Sequence, residues 1–442
     1  MAYFEFVIIE LYTEINFNFE TMEYKKATLD NGLEVITCHV PHIRSVSLIF
    51  FIKCGSCYEE DEVAGISHFI EHMSFKGTRR RPSSIAISEI IEGVGGILNG
   101  ETDRQLTSYW CKLAKPHFEL AVDVIVDLLR NSLFRPQDIE KERQVIVEEI
   151  NMSLDSPQQR VGMALDELMW PGKPMGRDVA GSKETVRAIT RQQMLDTVKK
   201  FYTPNNILVS IAGDIHHDSV LEILSKAMIG WEKGRPQKFL PSKQQQLKPR
   251  LKIEYRETEQ VNLALGVEGY SAIHSDRYIV DLISLILGEG ISSRLFTEIR
   301  EKLGLAYDIH SYVEHFRETG SFVIQAGLNQ RQVLRAIKAI LEQMAYMREE
   351  VTEKESGKAI KMAKGRLILS MENSRNVAEW YGIQEAVTGK ILTVSDVTRA
   401  IEAITVDDLK RVARDIFTSP KLNLALVGPV KKADKIEDLL KL

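Results

Sequence analysis

Four cysteines in 442 residues are too few to frame a disulfide-dependent fold of this size. No uninterrupted apolar run reaches membrane-spanning length, so no transmembrane helix is predicted. Lysine and arginine number 57 against 62 aspartates and glutamates, a formal net charge of −5, and this leaves no basic excess for nucleic acid. The first 21 residues contain neither lysine nor arginine, unlike a secretory signal or a mitochondrial presequence, and the expected location is the cytoplasm of a bacterial or archaeal-type cell. What is present, 44% hydrophobic and 27% charged residues, suits a soluble chain able to build two sizeable cores. Cys54-Gly55-Ser56-Cys57 is a lone C-x-x-C. It could be a redox pair or half of a structural zinc site, although no second pair completes a four-cysteine zinc set.

The run His68-Phe69-Ile70-Glu71-His72 carries the chemistry. With Ile66 to Met73 helical at about 100° per residue, Ile66, Phe69, Ile70 and Met73 share one face, and His68, Glu71 and His72 share the other. Two histidines four apart can grip one zinc ion, and hydrolytic zinc sites take three protein ligands and keep a fourth position open. Glu71 stands where a general base is needed. A third ligand is sought on Asp138 to Ile150, a helical stretch that follows Pro136. Its apolar stripe is expected from Ile139, Val145, Ile146 and Ile150, with Glu142 and Glu149 inside it and Glu140, Lys141 and Glu148 outside. Carboxylates among isoleucines call for a cation, either a metal or a core arginine.

The order H-x-x-E-H followed by E-x(6)-E resembles the inverzincins of the pitrilysin family, peptidase family M16, of the short type similar to the mitochondrial processing peptidase β-subunit and its bacterial relatives. The resemblance implies that His68, His72 and Glu149 hold Zn²⁺, that Glu71 is the base and that Glu142 supports the site. It extends from about Met22 over nearly the whole chain. Gly95 to Trp110 resembles the family's edge strand, which hydrogen-bonds the substrate backbone, so Leu98, Asn99 and Gly100 are implied substrate-binding residues, although Gly100 stands where alanine is usual. No lysine follows in a P-loop pattern, so a nucleotide site is not expected. Gly55 and Ser56 with Glu59 or Glu60 match the family's Gly-Ser and nearby acidic residue. Arg300 and Tyr307, within Ser292 to Tyr307, match the family's R-x(6)-Y; the resemblance implies that they contact the substrate carbonyl from the other half.

Independently of any family, Ile189 to Asp214 aligns without a gap on Ile404 to Pro429 at a constant offset of 215, so the chain is a duplication. Strand-like runs (Val46 to Lys53, Val261 to Val267) alternate with helical ones (His117 to Leu129, Val333 to Met347), which predicts two homologous α+β domains, each a sheet packed with helices. The expected division is an N-terminal extension of unknown role at 1–21, a zinc-binding domain at 22–233, a proline- and glutamine-rich linker at 234–250, and a second domain without the zinc motif at 251–442. His216 and His217 are expected to be solvated in a turn. The function expected is a zinc-dependent endopeptidase acting on extended peptides or unfolded segments, as a homodimer or a heterodimer with an inactive homologue. The rival is a non-catalytic assembly subunit of a processing-peptidase-like complex; a peptidase acting on cofactor-precursor peptides is a narrower alternative.

Overall fold

The computed structural model describes residues 23–235, 245–430 and 433–442. Among these residues the strands form two mixed sheets, one in each half of the chain. The first contains β1 (Tyr24–Thr28), β2 (Glu34–His39), β3 (Ser45–Ile52), β4 (Ile97–Thr102), β5 (Thr107–Ala114) and β6 (Ile207–Gly213), in the order β1-β2-β6-β3-β5-β4. The second contains β7 (Arg250–Tyr255), β8 (Gln260–Gly269), β9 (Ala306–His315), β10 (Gly320–Asn329) and β11 (Asn423–Gly428), in the order β7-β11-β8-β10-β9. β2 runs parallel to β6, and β7 runs parallel to β11; the other pairings are antiparallel. The architecture is α+β, as expected. The proposed extension at 1–21 lies outside the described residues, as does 236–244 of the linker, and Arg250, counted with the linker, already opens β7.

The offset of 215 governs the whole fold. Helices Arg191–Phe201 and Val406–Ile416 begin 215 residues apart, and so do Phe118–Asn131 and Val333–Glu349. Thr190 and Thr405 cap the first pair through the same reciprocal bond to the residue three positions on.

β3, β6 and β11 are apolar and buried along nearly their full length, because both faces of each sheet are covered. Helices of the same half cover one face. The other face is covered from across the duplication. Helix Pro157–Met169 leaves the first half and lays Val161, Ala164, Leu165 and Met169 on Ala264, Val323, Ala425 and Val427 of the second sheet. Its repeat partner, helix Ser374–Ile383, lays Val377, Ala378 and Tyr381 on Ile36, Ile49, Phe51 and Leu208 of the first. Polar contacts fix each crossing. Ser374 bonds Ser45 and Ser47 at 2.9 Å, the Ser210 hydroxyl donates to the Ala378 carbonyl at 2.6 Å, and Arg160 pairs with Glu254 at 2.8 Å.

β4 and β9 end their sheets, each with one side unpaired. Helix Ile66–Ser74 packs beside β4 and against helix Pro136–Asp155, which places the motif next to a free strand edge. No helix among the described residues is long and apolar enough to cross a membrane.

Candidate metal centre and its supports

Helix Ile66–Ser74 starts at Gly65, whose φ of 94° only glycine adopts readily and whose missing Cβ leaves room for the Ala180 carbonyl. The buried Glu59 carboxylate accepts the N–H groups of Gly65 and Ser67, each at 2.8 Å. This carboxyl group satisfies orphan donors at the helix N-terminus and fixes where the motif begins. Of the two acidic residues named beforehand, Glu59 has this role and Glu60 is exposed. Ile66, Phe69, Ile70 and Met73 are buried in the first core, as the helical periodicity requires, so the opposite face turns toward helix Pro136–Asp155 and β4.

His68, His72 and Glu149 each offer one ligand atom, and the three atoms lie within 4.8 Å of one another. Glu149 Oε2 is 3.9 Å from His68 Nε2 and 3.6 Å from His72 Nε2. A tetrahedral ion with bonds near 2.1 Å spaces its donors by about 3.4 Å, so this set fits a zinc-sized cation. Burial, with His72 close by, lowers the pKa of His68 to about 4, which keeps the ring neutral, the form that ligates a metal. Its buried Nδ1 has no hydrogen-bond partner among the described residues. His72 is differently held. Its Nδ1 lies 3.2 Å from Glu142 Oε2, which favours the tautomer that presents the Nε2 lone pair to the cluster. The other Glu142 oxygen is 2.6 Å from Lys76 Nζ.

The stripe on helix Pro136–Asp155 is rotated from expectation: Val145 leaves it, Arg143 and Val147 join it, and Glu149 moves to its edge. Val145 is 44% exposed; the buried set is Ile139, Glu142, Arg143, Ile146, Val147 and Ile150. Arg143 takes the place assigned to Val145, with its guanidinium 5.4 Å from the Phe69 ring centroid and donating to the Val186 and Ile189 carbonyls. Glu149 therefore sits on the flank of the stripe, its side chain 42% exposed, and the cluster opens to solvent on that side. Glu148 is fully turned outward, bonded only to Asn151.

Glu71 is buried, and burial raises its pKa, while the nearby His72 ring and a 3.0 Å hydrogen bond from the Thr102 hydroxyl act in the opposite direction. Thr102 lies on β4, as do Leu98, Asn99 and Gly100. Lys76 and Thr102 had not been singled out in the sequence. Lys76 stands four residues after His72, one turn on the same face, whereas nothing local in the sequence aims Thr102 at Glu71.

Arg300 lies in a π-helical segment, Phe296–Lys302, and Tyr307 follows at the start of β9. The Arg300 guanidinium is 4.5 Å from the Phe296 ring centroid and 5.5 Å from that of Tyr307, which is 76% exposed. The fold brings these two together; no hydrogen bond, ion pair or ring contact among the described residues joins them to the histidine cluster. At the offset of 215 the second half has Ile283, Ile286 and Leu287 for His68, Glu71 and His72, and Lys364 for Glu149, so no second ligand set exists there.

All four cysteines are free and buried, and burial pushes the Cys57 thiol up to about 12. Reactive thiolate chemistry is thereby disfavoured at Cys54 and Cys57. His216 is exposed, as expected, and stacks on His39, whereas His217 opens a helix and is half-buried, its Nδ1 2.7 Å from the Thr37 hydroxyl. A cavity of about 890 Å³ lies below Ala64 and Thr185 against helix Pro157–Met169, but none of the cluster residues lines it. What adjoins the cluster is β4, paired with β5 on one side and free on the other.

A two-sheet α+β duplication with a histidine-histidine-glutamate cluster beside a strand with one free edge has counterparts among known proteins. Residues 34–183 match the profile described as "Insulinase (Peptidase family M16)", and residues 188–362 match "Peptidase M16 inactive domain". The chain belongs to peptidase family M16. A Rickettsia felis protein named "Uncharacterized zinc protease" is 33% identical over 402 residues, 91% of this chain and 96% of that protein. One from Streptomyces coelicolor, also named a zinc protease, is 32% identical over 94% of this chain and 92% of its own length. Among solved structures, a protease from Helicobacter pylori superposes with a TM-score of 0.88 at 22% identity, covering 92% of this chain and 100% of that one. A Pseudomonas fluorescens peptidase M16 inactive domain gives 0.86 at 18% identity over 92% of this chain and 99% of that one.

Proposed function

We propose that this chain is a zinc-dependent endopeptidase that cleaves extended peptides or unfolded segments. The observation that carries the reading is the convergence of His68 Nε2, His72 Nε2 and Glu149 Oε2 in a half-open cluster beside Glu71. These three side chains would hold Zn²⁺, and Glu142 orients His72. Zinc supplies a Lewis acid that polarises a carbonyl and brings the pKa of water toward 7. Glu71 accepts a proton from the attacking water and returns it to the leaving amine as the C–N bond breaks, so one water is consumed for each peptide bond. Burial raises its pKa above the ordinary glutamate value, which suits a group that must both take and give a proton. β4 offers its free edge to the substrate backbone at Leu98, Asn99 and Gly100, a mode that requires an extended chain and excludes folded ones.

Arg300 and Tyr307 act on the substrate carbonyl region from the second half. Their exposure, and their lack of a bond to the cluster, support pairing of the chain with a second copy or an inactive homologue that encloses the substrate. A non-catalytic assembly role would call for a broken ligand set; here no ligand position is lost.

Metal analysis of the purified protein and cleavage of an unstructured peptide, before and after chelation, test the reading. One zinc per chain and chelator-sensitive cleavage restored by zinc are expected. A folded protein without zinc, or chelator-resistant cleavage, would overturn it. Solution scattering tests the pairing: a fully active monomer would refute it.

A further inference from the structure

Two features of β4 bear on Glu71 rather than on the peptide. Thr102 Oγ1 donates a 3.0 Å hydrogen bond to Glu71 Oε2. Gly100, two residues earlier and therefore on the same face of the strand, adjoins the other carboxylate oxygen. A Cβ built on Gly100 would lie 2.9 Å from Glu71 Oε1 and 2.9 Å from Phe75 Cε2. Gly100 does not have the left-handed backbone that demands glycine, so its backbone would accept other residues. What is needed at this position is room. The Gly100 N–H is engaged by Asn99 Oδ1 at 2.9 Å, and β4 is hydrogen-bonded to another strand only along β5.

We propose that Thr102 and Gly100 are positioning residues for Glu71, and that the edge strand receiving the peptide is also the strand that aims the base. This rests on the reading of Glu71 as the base. Glu71 reaches β4 from a helix through a flexible side chain, so its carboxylate needs a stop on each side. The Thr102 hydroxyl fixes one oxygen, and the bare Cα of Gly100 sets how close the other can lie. A peptide pairing with the free edge turns β4 into an interior strand. Its local openings are then suppressed, and the Thr102 hydroxyl stays within bonding distance of the carboxylate. Binding and aiming of the base are coupled through one strand, so a peptide too short to pair with β4 forgoes the coupling.

Steady-state kinetics on the zinc-loaded protein, with zinc affinity and unfolding temperature measured alongside, test the proposal. Thr102→Val keeps the shape and removes the donor. It should retain zinc and its unfolding temperature, leave KM unchanged and lower kcat about 10- to 100-fold, the equivalent of one hydrogen bond to a charged group. Thr102→Ser should restore most of kcat. The Cβ of Gly100→Ala meets Glu71 at both Oε1 and Cγ and the edge of the Phe75 ring, side chains rather than backbone, so this variant should fold and lose kcat several-fold as Glu71 is displaced. Parental kcat in Thr102→Val or in Gly100→Ala, failure of Thr102→Ser to rescue, or a change confined to KM would overturn the proposal. A lowered unfolding temperature with parental kcat in the folded fraction would assign Thr102 to the fold instead. Absence of zinc-dependent cleavage in the parent protein would count against the proposed function itself, before any variant is compared.

Discussion

Replacing Glu142 by glutamine separates a supporting carboxylate from a ligand. Glu142 is buried and bonds two donors at once, His72 Nδ1 at 3.2 Å and Lys76 Nζ at 2.6 Å. Glutamine fills the same space with one acceptor oxygen and one donor nitrogen. Whichever way the amide turns, either His72 or Lys76 faces a donor. Lys76 is the more exposed and can turn to water, so the amide oxygen stays on His72, and what His72 loses is the acceptor's negative charge. A hydrogen bond to a charged group is worth about 1.5–3 kcal/mol. Taking the charge out of this bond should weaken zinc affinity about 10- to 100-fold, the usual range for groups that orient metal-bound histidines. Zinc competition against a chromogenic chelator at neutral pH measures this directly. Glu149→Gln, which removes a proposed ligand, should bind zinc far more weakly than Glu142→Gln. Glu148→Gln should match the parent, since Glu148 bonds only Asn151 at the surface. Parental affinity in Glu142→Gln, or a Glu148 variant weaker than the Glu149 variant, would refute the helical phase and the role given to Glu142.

Glu71→Gln should keep zinc, because it changes no proposed ligand, and should lose about 10²–10⁴-fold in cleavage rate; near-parental turnover would exclude Glu71 as the base. Gly382 on the crossing helix has no room for a Cβ, which would lie 2.2 Å from Phe51 Cε2, so Gly382→Ala should cost about 1–3 kcal/mol in denaturant unfolding. Glu355 is pushed up by burial, but its bonds from Arg294 at 2.7 and 2.9 Å and from the Thr352 N–H at 3.0 Å prevail and pull its pKa from 4.5 to about 2. Its folded pKa lies below its unfolded one, so its contribution is complete above pH 4.5 and fades as pH falls from 4.5 toward 2. At 30% exposure that contribution is about 1–2 kcal/mol after solvent screening. The stability gap between parent and Glu355→Gln should therefore be constant from pH 7 to 5 and narrow below pH 4.5, and a gap that widens on acidification would contradict the assignment.

The motif helix was legible because it is short and two-faced. Four apolar residues at helical spacing fix its orientation, and the polar side then has nowhere to point but toward the neighbouring helix and β4. The glutamate helix was less legible for a specific reason. Arg143 counts as polar in any pattern, yet its stem is buried and two backbone carbonyls satisfy its guanidinium. Reading it as solvent-facing rotates the stripe by enough to include Val145 and to centre Glu149, which in fact lies on the flank. Thr102 was out of reach altogether, because its partner Glu71 is 31 residues away and the contact exists only once β4 has folded back beside the helix.

The duplication, too, was written in the sequence, but the way the halves cover each other was not. Helix Pro157–Met169 shows an ordinary amphipathic pattern, and nothing in that pattern says which sheet it covers. The default is the nearest one in sequence, its own. The physical signs of crossing are instead on the receiving side, where strands lack a polar face. β3 and β6 are buried on both faces, yet the helices of the first half supply only one cover. The close approaches agree. Gly266 on β8 gives way to Leu165 and Met169, and Gly382 gives way to Phe51, each glycine lying where the helix of one half meets the sheet of the other. Both sheets thus owe one apolar cover to the opposite half, and each half in isolation would expose that face to water. The helix that carries Glu149 ends at Asp155, two residues before the helix that crosses to the second sheet begins, so the proposed metal ligands are tied to the second half although none of them lies in it.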